Sequence, residues 1–177
     1  MKKLYQWLCV NRLSLNIEKT NFIVFHPFNK PVKENITLLI HRKAIAETKF
    51  VKYLGVLMDS TLTWNFHIDN IAKKISRSIG ILYKIRPFAD LSVMTKLYYS
   101  IIYPHLIYAI QIWGSTFDNQ IEKLSKLQKK ALRVITNSNT HLITGMYTHS
   151  LPLFYSLKML KIKEIYELQI LTVIFDS

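Results

Sequence analysis

Cysteine occurs once in the 177-residue sequence, at Cys9. A single thiol excludes an internal disulfide framework and any cysteine-rich zinc site, and it favours an intracellular setting. Glycine and proline are scarce, with four and five residues, which leaves little room for flexible linkers or low-complexity segments. There is no internal repeat, P-loop, GxGxxG turn or GxSxG elbow, so those phosphate-binding and nucleophile-presenting signatures are missing. The six histidines (His26, His41, His67, His105, His141 and His149) show no HxxxH spacing and read as isolated side chains. Acidic residues number only eleven, and no two aspartates are adjacent. Two-metal phosphoryl transfer needs convergent carboxylates. The pair on one helix face, Glu164 and Glu167, is flanked by Lys161 and Lys163 and reads as surface. No metal site is expected from this chain.

What is abundant is positive charge: 24 Lys and Arg, a net +13 and a pI near 9.8. The excess is spread, with ten basic against four acidic residues through Ser60 and fourteen against seven after it. Spread charge of this size suits a polyanionic partner, nucleic acid or an anionic membrane. Half the residues are hydrophobic, so a packed core is expected and general disorder is not. The opening MKKLYQWLCVNRL has the lysines of a signal peptide, but Gln6 and the missing small-residue cleavage site argue against one. Leu97–Phe117 carries no formal charge and is long enough for a membrane span. Ser100, Pro104, His105, Gln111, Ser115 and four tyrosines would each need a partner in lipid. The expectation is a buried helix kinked at Pro104, with no membrane association.

Periodicity divides the chain near residue 60. Residues 3–9 are helix-compatible, Asn11–Thr20 is turn-rich, and Asn21–His26 reads as a strand stopped by Pro27. ITLLIH and AIAE, separated by Arg42-Lys43, suggest a hairpin. KFVKYLGVLMD is a further strand candidate, with Gly55 inside it as a bulge or close backbone approach. After Ser60 the apolar spacing turns helical. Thr61 or Thr63 offers an N-cap, then Ile68, Ile71, Ile75, Ile79 and Leu82 line one face until Pro87. Asp90 or Ser92 caps a second helix. A third follows Asp118, with Ile121, Leu124, Leu127, Leu132 and Ile135 as its stripe. After the polar TNSNTH, Pro152 begins a last helical region with Leu153, Leu157, Leu160, Ile165 and Leu168 inward. The fold class is therefore α+β: a strand-rich part over residues 1–60 and a helical bundle over 61–177.

Two helices carry polar faces of one sign. Residues 67–86 hold Lys73, Lys74, Arg77, Lys84 and Arg86 against Asp69; residues 119–135 hold Lys123, Lys126, Lys129, Lys130 and Arg133 against Glu122. Like charges at i,i+4 destabilise a helix, so such faces suggest a phosphate backbone as counter-charge. The alternative is a basic structural or interaction module whose lysine faces point in unrelated directions.

Five blocks in order then resemble a known family. They are WLxxNRLSLNxxKT (Trp7–Thr20), FVKYLGVLMD with LTWNFHI (Phe50–Ile68), LYYSIIYPHLIYAIQIWG (Leu97–Gly114), KLQKKALRVI (Lys126–Ile135) and HSLPLF (His149–Phe154). Together they resemble the downstream half of reverse transcriptases from non-LTR, jockey-like retrotransposons. The resemblance implies that residues 1–60 are a late-palm remnant and 61–177 a thumb holding an RNA/DNA template–primer duplex. It implies that Asn16, Lys19 and Thr20 match a palm motif whose lysine lies near the incoming nucleotide, so Lys19 is at most an auxiliary catalytic residue. Tyr53, Leu54 and Gly55 match the motif that grips the primer terminus. Lys73, Lys74, Arg77, Lys126, Lys129, Lys130 and Arg133 become backbone contacts. The family's metal-binding aspartates belong to an early palm strand and a Tyr-x-Asp-Asp hairpin, no Asp-Asp occurs here, and the upstream palm and fingers portion of the enzyme becomes an implied partner. This chain alone is thus expected to bind no cofactor and to be inactive, although the intact enzyme would need magnesium. His41-Arg42-Lys43 departs from the Asn-Gly-like turn of relatives.

Overall fold

The computed structural model describes residues 2–30, 36–40, 43–138 and 150–176. The chain forms two compact units, Met1–Trp64 and Asn65–Ser177, in an α+β arrangement with the short sheets in the first and a helical bundle in the second.

In the first unit, helix α1 (Lys2–Val10) is followed by a 3-10 turn at Ile17–Lys19. Asn16 stands at the start of that turn, its side-chain oxygen accepting from the Lys19 amide at 3.2 Å. The Thr20 hydroxyl donates to the Asn16 carbonyl at 2.7 Å. Strand β1 is only Asn21–Phe22, shorter than the Asn21–His26 run expected. Beyond it the chain leaves the sheet, and the His26 amide donates to the Ser60 carbonyl at 3.0 Å. β2 (Leu38–Ile40) and β3 (Lys43–Glu47) form the expected antiparallel hairpin, with Leu38 opposite Ile45 and Ile40 opposite Lys43. Its His41-Arg42 turn lies outside the described residues. β1 joins β3 in parallel, giving the order β1-β3-β2.

KFVKYLGVLMD is not one strand but a second hairpin, β4 (Phe50–Tyr53) and β5 (Val56–Asp59). Leu54 and Gly55 form its two-residue turn, at φ 45° and 85°. Two positive φ values in succession match the twist that joins antiparallel strands tightly. Gly55 is therefore a turn residue rather than a bulge. Ile40, Ile45, Val56 and Trp64 are buried in this unit, while Trp7, Phe25, Phe28, Leu39 and Phe50 remain exposed.

The second unit opens with α2 (Asn65–Ile85), whose Ile68, Ile71, Ile75, Ile79 and Leu82 are all buried. Each such side chain contributes about 1.5–3 kcal/mol on leaving water. Leu97–Phe117 is neither a span nor one kinked helix. It comprises the end of α3 (Leu91–Ile101), then α4 (Tyr103–Ile107) and α5 (Ile110–Trp113). Pro104 sits at the beginning of α4, where a missing amide costs nothing, and Ala109 breaks the path at φ 53°. Among the described residues no helix is long and apolar enough to cross a membrane.

Helix α6 (Asp118–Thr136) packs against α2, and α7 (Ser150–Ser156) and α8 (Ile162–Asp176) complete the bundle. The last region is thus two helices, parted at Lys158 with φ 52°. Leu153 and Ile165 face inward as expected, but Leu160 and Leu168 are exposed. One polar side chain ties these elements together. Gln128 is fully buried on α6, and its amide nitrogen donates to the Tyr98 hydroxyl at 2.8 Å and the Leu160 carbonyl at 2.9 Å. Its oxygen accepts from the Ile162 amide at 3.1 Å.

Candidate nucleic-acid interface

On α2, residues 69, 73, 76 and 77 share a face because they are three and four positions apart. On α6, residues 119, 123, 126 and 127 do the same. The two faces meet across a groove of about 650 Å³ lined by Asp69, Lys73, Ser76, Arg77, Asn119, Lys123 and Lys126, with Ala72 and Leu127 also in the lining. Lysine and arginine stems can cover such apolar floor while their charges stay in water. Leu127, read as core, is half-exposed at this groove.

Four cations and one carboxylate therefore face a single concavity. Lys123 is hydrogen-bonded and ion-paired to Asp69 across it. Among the described residues no ion pair involves Lys73, Arg77 or Lys126. Of the expected backbone contacts, the fold brings together Lys73, Arg77 and Lys126. Lys74 lies outside the groove lining, and its charge acts on His67 and His105. Lys129 pairs with Glu122 at 3.8 Å and lines a second cavity, of about 350 Å³, with Lys161 and Lys163. Those two lysines are also paired, Lys161 with Glu164 at 2.9 Å and Lys163 with Asp118 at 2.7 Å. Lys130 and Arg133 line neither cavity. Of the remaining polar lining, Asp69 and Lys123 were read as face residues but not as contacts, and Ser76 and Asn119 were not singled out. Their spacing along each helix was visible, but their meeting across two helices was not.

In the first unit, Lys19 is exposed at the end of its turn, immediately before the edge strand β1. Tyr53 and Leu54 are 63% and 73% exposed at the β4–β5 tip. Strand β5 ends in Asp59, which is buried. Its carboxylate accepts from the Thr61 amide and hydroxyl at 3.0 and 2.7 Å and from the Thr63 amide and hydroxyl at 3.1 Å each. It also accepts from the Trp64 amide at 3.1 Å. Burial alone would raise its pKa, but the bonds from Thr61 and Thr63 outweigh burial and hold it below the usual carboxylate value. Asp59, not Thr61 or Thr63, is thus the organising acceptor of the turn that precedes α2.

Six of the described carboxylates are already engaged by other groups. Asp59 is saturated by its turn, Asp90 caps α3 by accepting from the Val93 amide at 2.7 Å, and Asp69, Asp118, Glu122 and Glu164 are matched with lysines. Among the described residues no group of three or more His, Cys, Asp or Glu could hold a metal ion.

Comparison with known proteins bears on what such a groove serves. The chain is 27% identical over 134 residues to the probable RNA-directed DNA polymerase from transposon X-element of Drosophila melanogaster, covering 74% of this chain and 14% of that protein. It is 28% identical over 142 residues to the RNA-directed DNA polymerase from mobile element jockey of Drosophila funebris, covering 78% and 15%. The jockey polymerase of Drosophila melanogaster is 31% identical over 108 residues, 59% of this chain and 12% of that one. No family model and no solved structure matches. The chain is a relative of the RNA-directed DNA polymerases of retrotransposons. The three relatives just named belong to non-LTR elements of the jockey and X-element type, and the chain matches under a sixth of their length.

Proposed function

We propose that the chain is the late-palm and thumb part of a reverse transcriptase, which grips a template–primer duplex by its backbone and supplies none of the metal-binding acids. In this reading residues 1–60 place Lys19 near the incoming nucleotide and Tyr53, Leu54 and Gly55 at the primer terminus. Residues 61–177 form the thumb, and aspartates of the upstream palm hold the magnesium ions. The observation that carries it is the convergence of Lys73, Arg77 and Lys126 on one groove. A basic module with unrelated lysine faces would not need that convergence.

Backbone contacts position without reading bases, so binding should be nearly indifferent to sequence. Three phosphate contacts predict a slope of log K against log salt of about −2.7 on a duplex. Fluorescence anisotropy with labelled RNA–DNA duplexes at several salt concentrations measures this. The triple variant Lys73→Ala, Arg77→Ala, Lys126→Ala should lose most of the affinity. Salt-insensitive binding, sequence-selective binding, or an unaffected triple variant would each reject the reading. With template–primer, Mg²⁺ and dNTPs, the chain alone should extend nothing.

A further inference from the structure

We propose that Asp69 is a built-in counter-anion of the α2–α6 groove, holding Lys123 where a backbone phosphate would otherwise bind. The groove then engages a polyanion with Lys73, Arg77 and Lys126 and keeps the fourth cation matched by protein. This rests on the nucleic-acid reading above and adds a residue that limits affinity.

The geometry is specific to this pair. Lys123 and Asp69 come from opposite walls, so their contact spans the concavity. The other three cations of the lining are on the same walls, and among the described residues no ion pair involves them. Both members of the pair are about half exposed, at 48% and 49%, so the contact stands in the solvent-filled opening rather than in the core. A carboxylate offers an ammonium the same kind of charged oxygen as a phosphodiester, and lysine binds either as a point charge. Asp69 therefore acts twice: it occupies Lys123, and its charge repels a phosphate approaching from the open side. Salt dependence counts the phosphates a protein neutralises. A lysine already neutralised by Asp69 adds nothing to that count until the carboxylate is removed.

The test compares full-length wild-type chain with Asp69→Asn, Lys123→Ala, the double variant, and Glu167→Gln as a charge-matched control. Glu167 is exposed on α8 and outside the groove. Labelled duplex and single-stranded oligonucleotides are titrated at several salt concentrations, with circular dichroism to check the fold. Asp69→Asn should bind severalfold tighter than Glu167→Gln. Its salt slope should steepen by about 0.9 on duplex or 0.7 on single strands, the value of one added phosphate contact. In the Lys123→Ala background the same change should leave the slope unaltered. Lys123→Ala alone should keep the wild-type slope, and this outcome holds even if Asp69→Asn folds poorly. Asp69→Asn matching Glu167→Gln in affinity and slope would overturn the proposal, as would a Lys123→Ala slope shallower by one contact. If those results came while the Lys73, Arg77, Lys126 triple variant still lost binding, the backbone reading would stand without this role for Asp69. If the triple variant bound like wild type, both would fall.

Discussion

Replacing Gln128 with methionine tests how the helical unit is held together. The substitution keeps volume and flexibility, so packing changes little, but it removes all three hydrogen bonds of a side chain with no exposed surface. The Leu160 carbonyl belongs to a 41% exposed residue, so water can replace that partner. The Ile162 amide and the Tyr98 hydroxyl are 1% exposed by residue and have no such recourse. Each buried group left unmatched costs about 1–3 kcal/mol, so the variant with two of them should lose about 2–6 kcal/mol. That is a large share of the roughly 5–15 kcal/mol typical of a domain. Tyr98→Phe alone should cost only about 1 kcal/mol, because the Gln128 amide retains Leu160. Combined with Gln128→Met it should cost less than the sum, since the two changes delete one shared bond. Urea unfolding followed by the helical circular-dichroism signal measures this, with the midpoint falling and the m-value unchanged. A Gln128→Met chain within about 0.5 kcal/mol of wild type, inside the range of an ordinary surface substitution, would refute the linchpin role.

Two further outcomes follow from the packing. His67 is buried edge-on to Trp113, with ring centroids 5.9 Å apart. Burial first, and the Lys74 charge second, hold its pKa below the usual histidine value, and His105 is lowered by the same two causes. The folded state thus binds fewer protons than the unfolded one. The associated stability is full above the unfolded value of about 6.5 and is lost as pH falls from there through the lowered pKa. Melting temperatures between pH 7.5 and 5 should decline, and His67→Phe should flatten that decline; an unchanged profile would assign it elsewhere. The glycines offer an opposed pair. A Cβ at Gly80, in mid-α2, meets nothing within 4 Å, so Gly80→Ala should stabilise by about 0.5–1 kcal/mol. A Cβ at Gly114 would overlap the Tyr166 ring and the Ile110 carbonyl, so Gly114→Ala should destabilise by about 1–3 kcal/mol. Thermal melts check both signs.

What was legible in the sequence is what a simple period encodes. The isoleucines of α2 recur every three or four residues, and every one is buried. The β2–β3 hairpin was visible because a charged pair interrupts two apolar runs. The β4–β5 turn was not, because its first residue is leucine, and an apolar residue there extends the look of a strand. Ala109 at positive φ likewise carries no local signal, so three short helices read as one. Gln128 did leave a trace: it is four residues past Leu124 and four before Leu132, a lone amide on an apolar stripe. Asp59 left another in the hydroxyls of Ser60, Thr61 and Thr63, two of which it binds. The groove had no such trace. Charge on two segments is a property of composition, and only the packing of α2 on α6 makes it one surface.

The β4–β5 tip bears on the proposed function through its conflict with local preference. A two-residue turn with both φ values positive favours Asn-Gly, because the first residue must tolerate the left-handed region. Here that residue is Leu54 at φ 45°, a conformation that costs a branched, non-glycine side chain about 1–3 kcal/mol. Leu54 is also 73% exposed, so burial of the side chain cannot offset the strain within this unit. The tip therefore departs from local preference twice, in backbone conformation and in exposing an apolar side chain beside an exposed tyrosine. Departures of this kind collect where a protein meets a ligand or partner. The like-charged walls of the α2–α6 groove are a departure of the same sort, tolerated against i,i+4 repulsion. These two segments are the ones our reading gives to the primer terminus and to the duplex backbone; positive φ recurs at Ala109 and Lys158 inside the helical unit, so the exposed apolar tip and the charged walls support that reading rather than the dihedral alone.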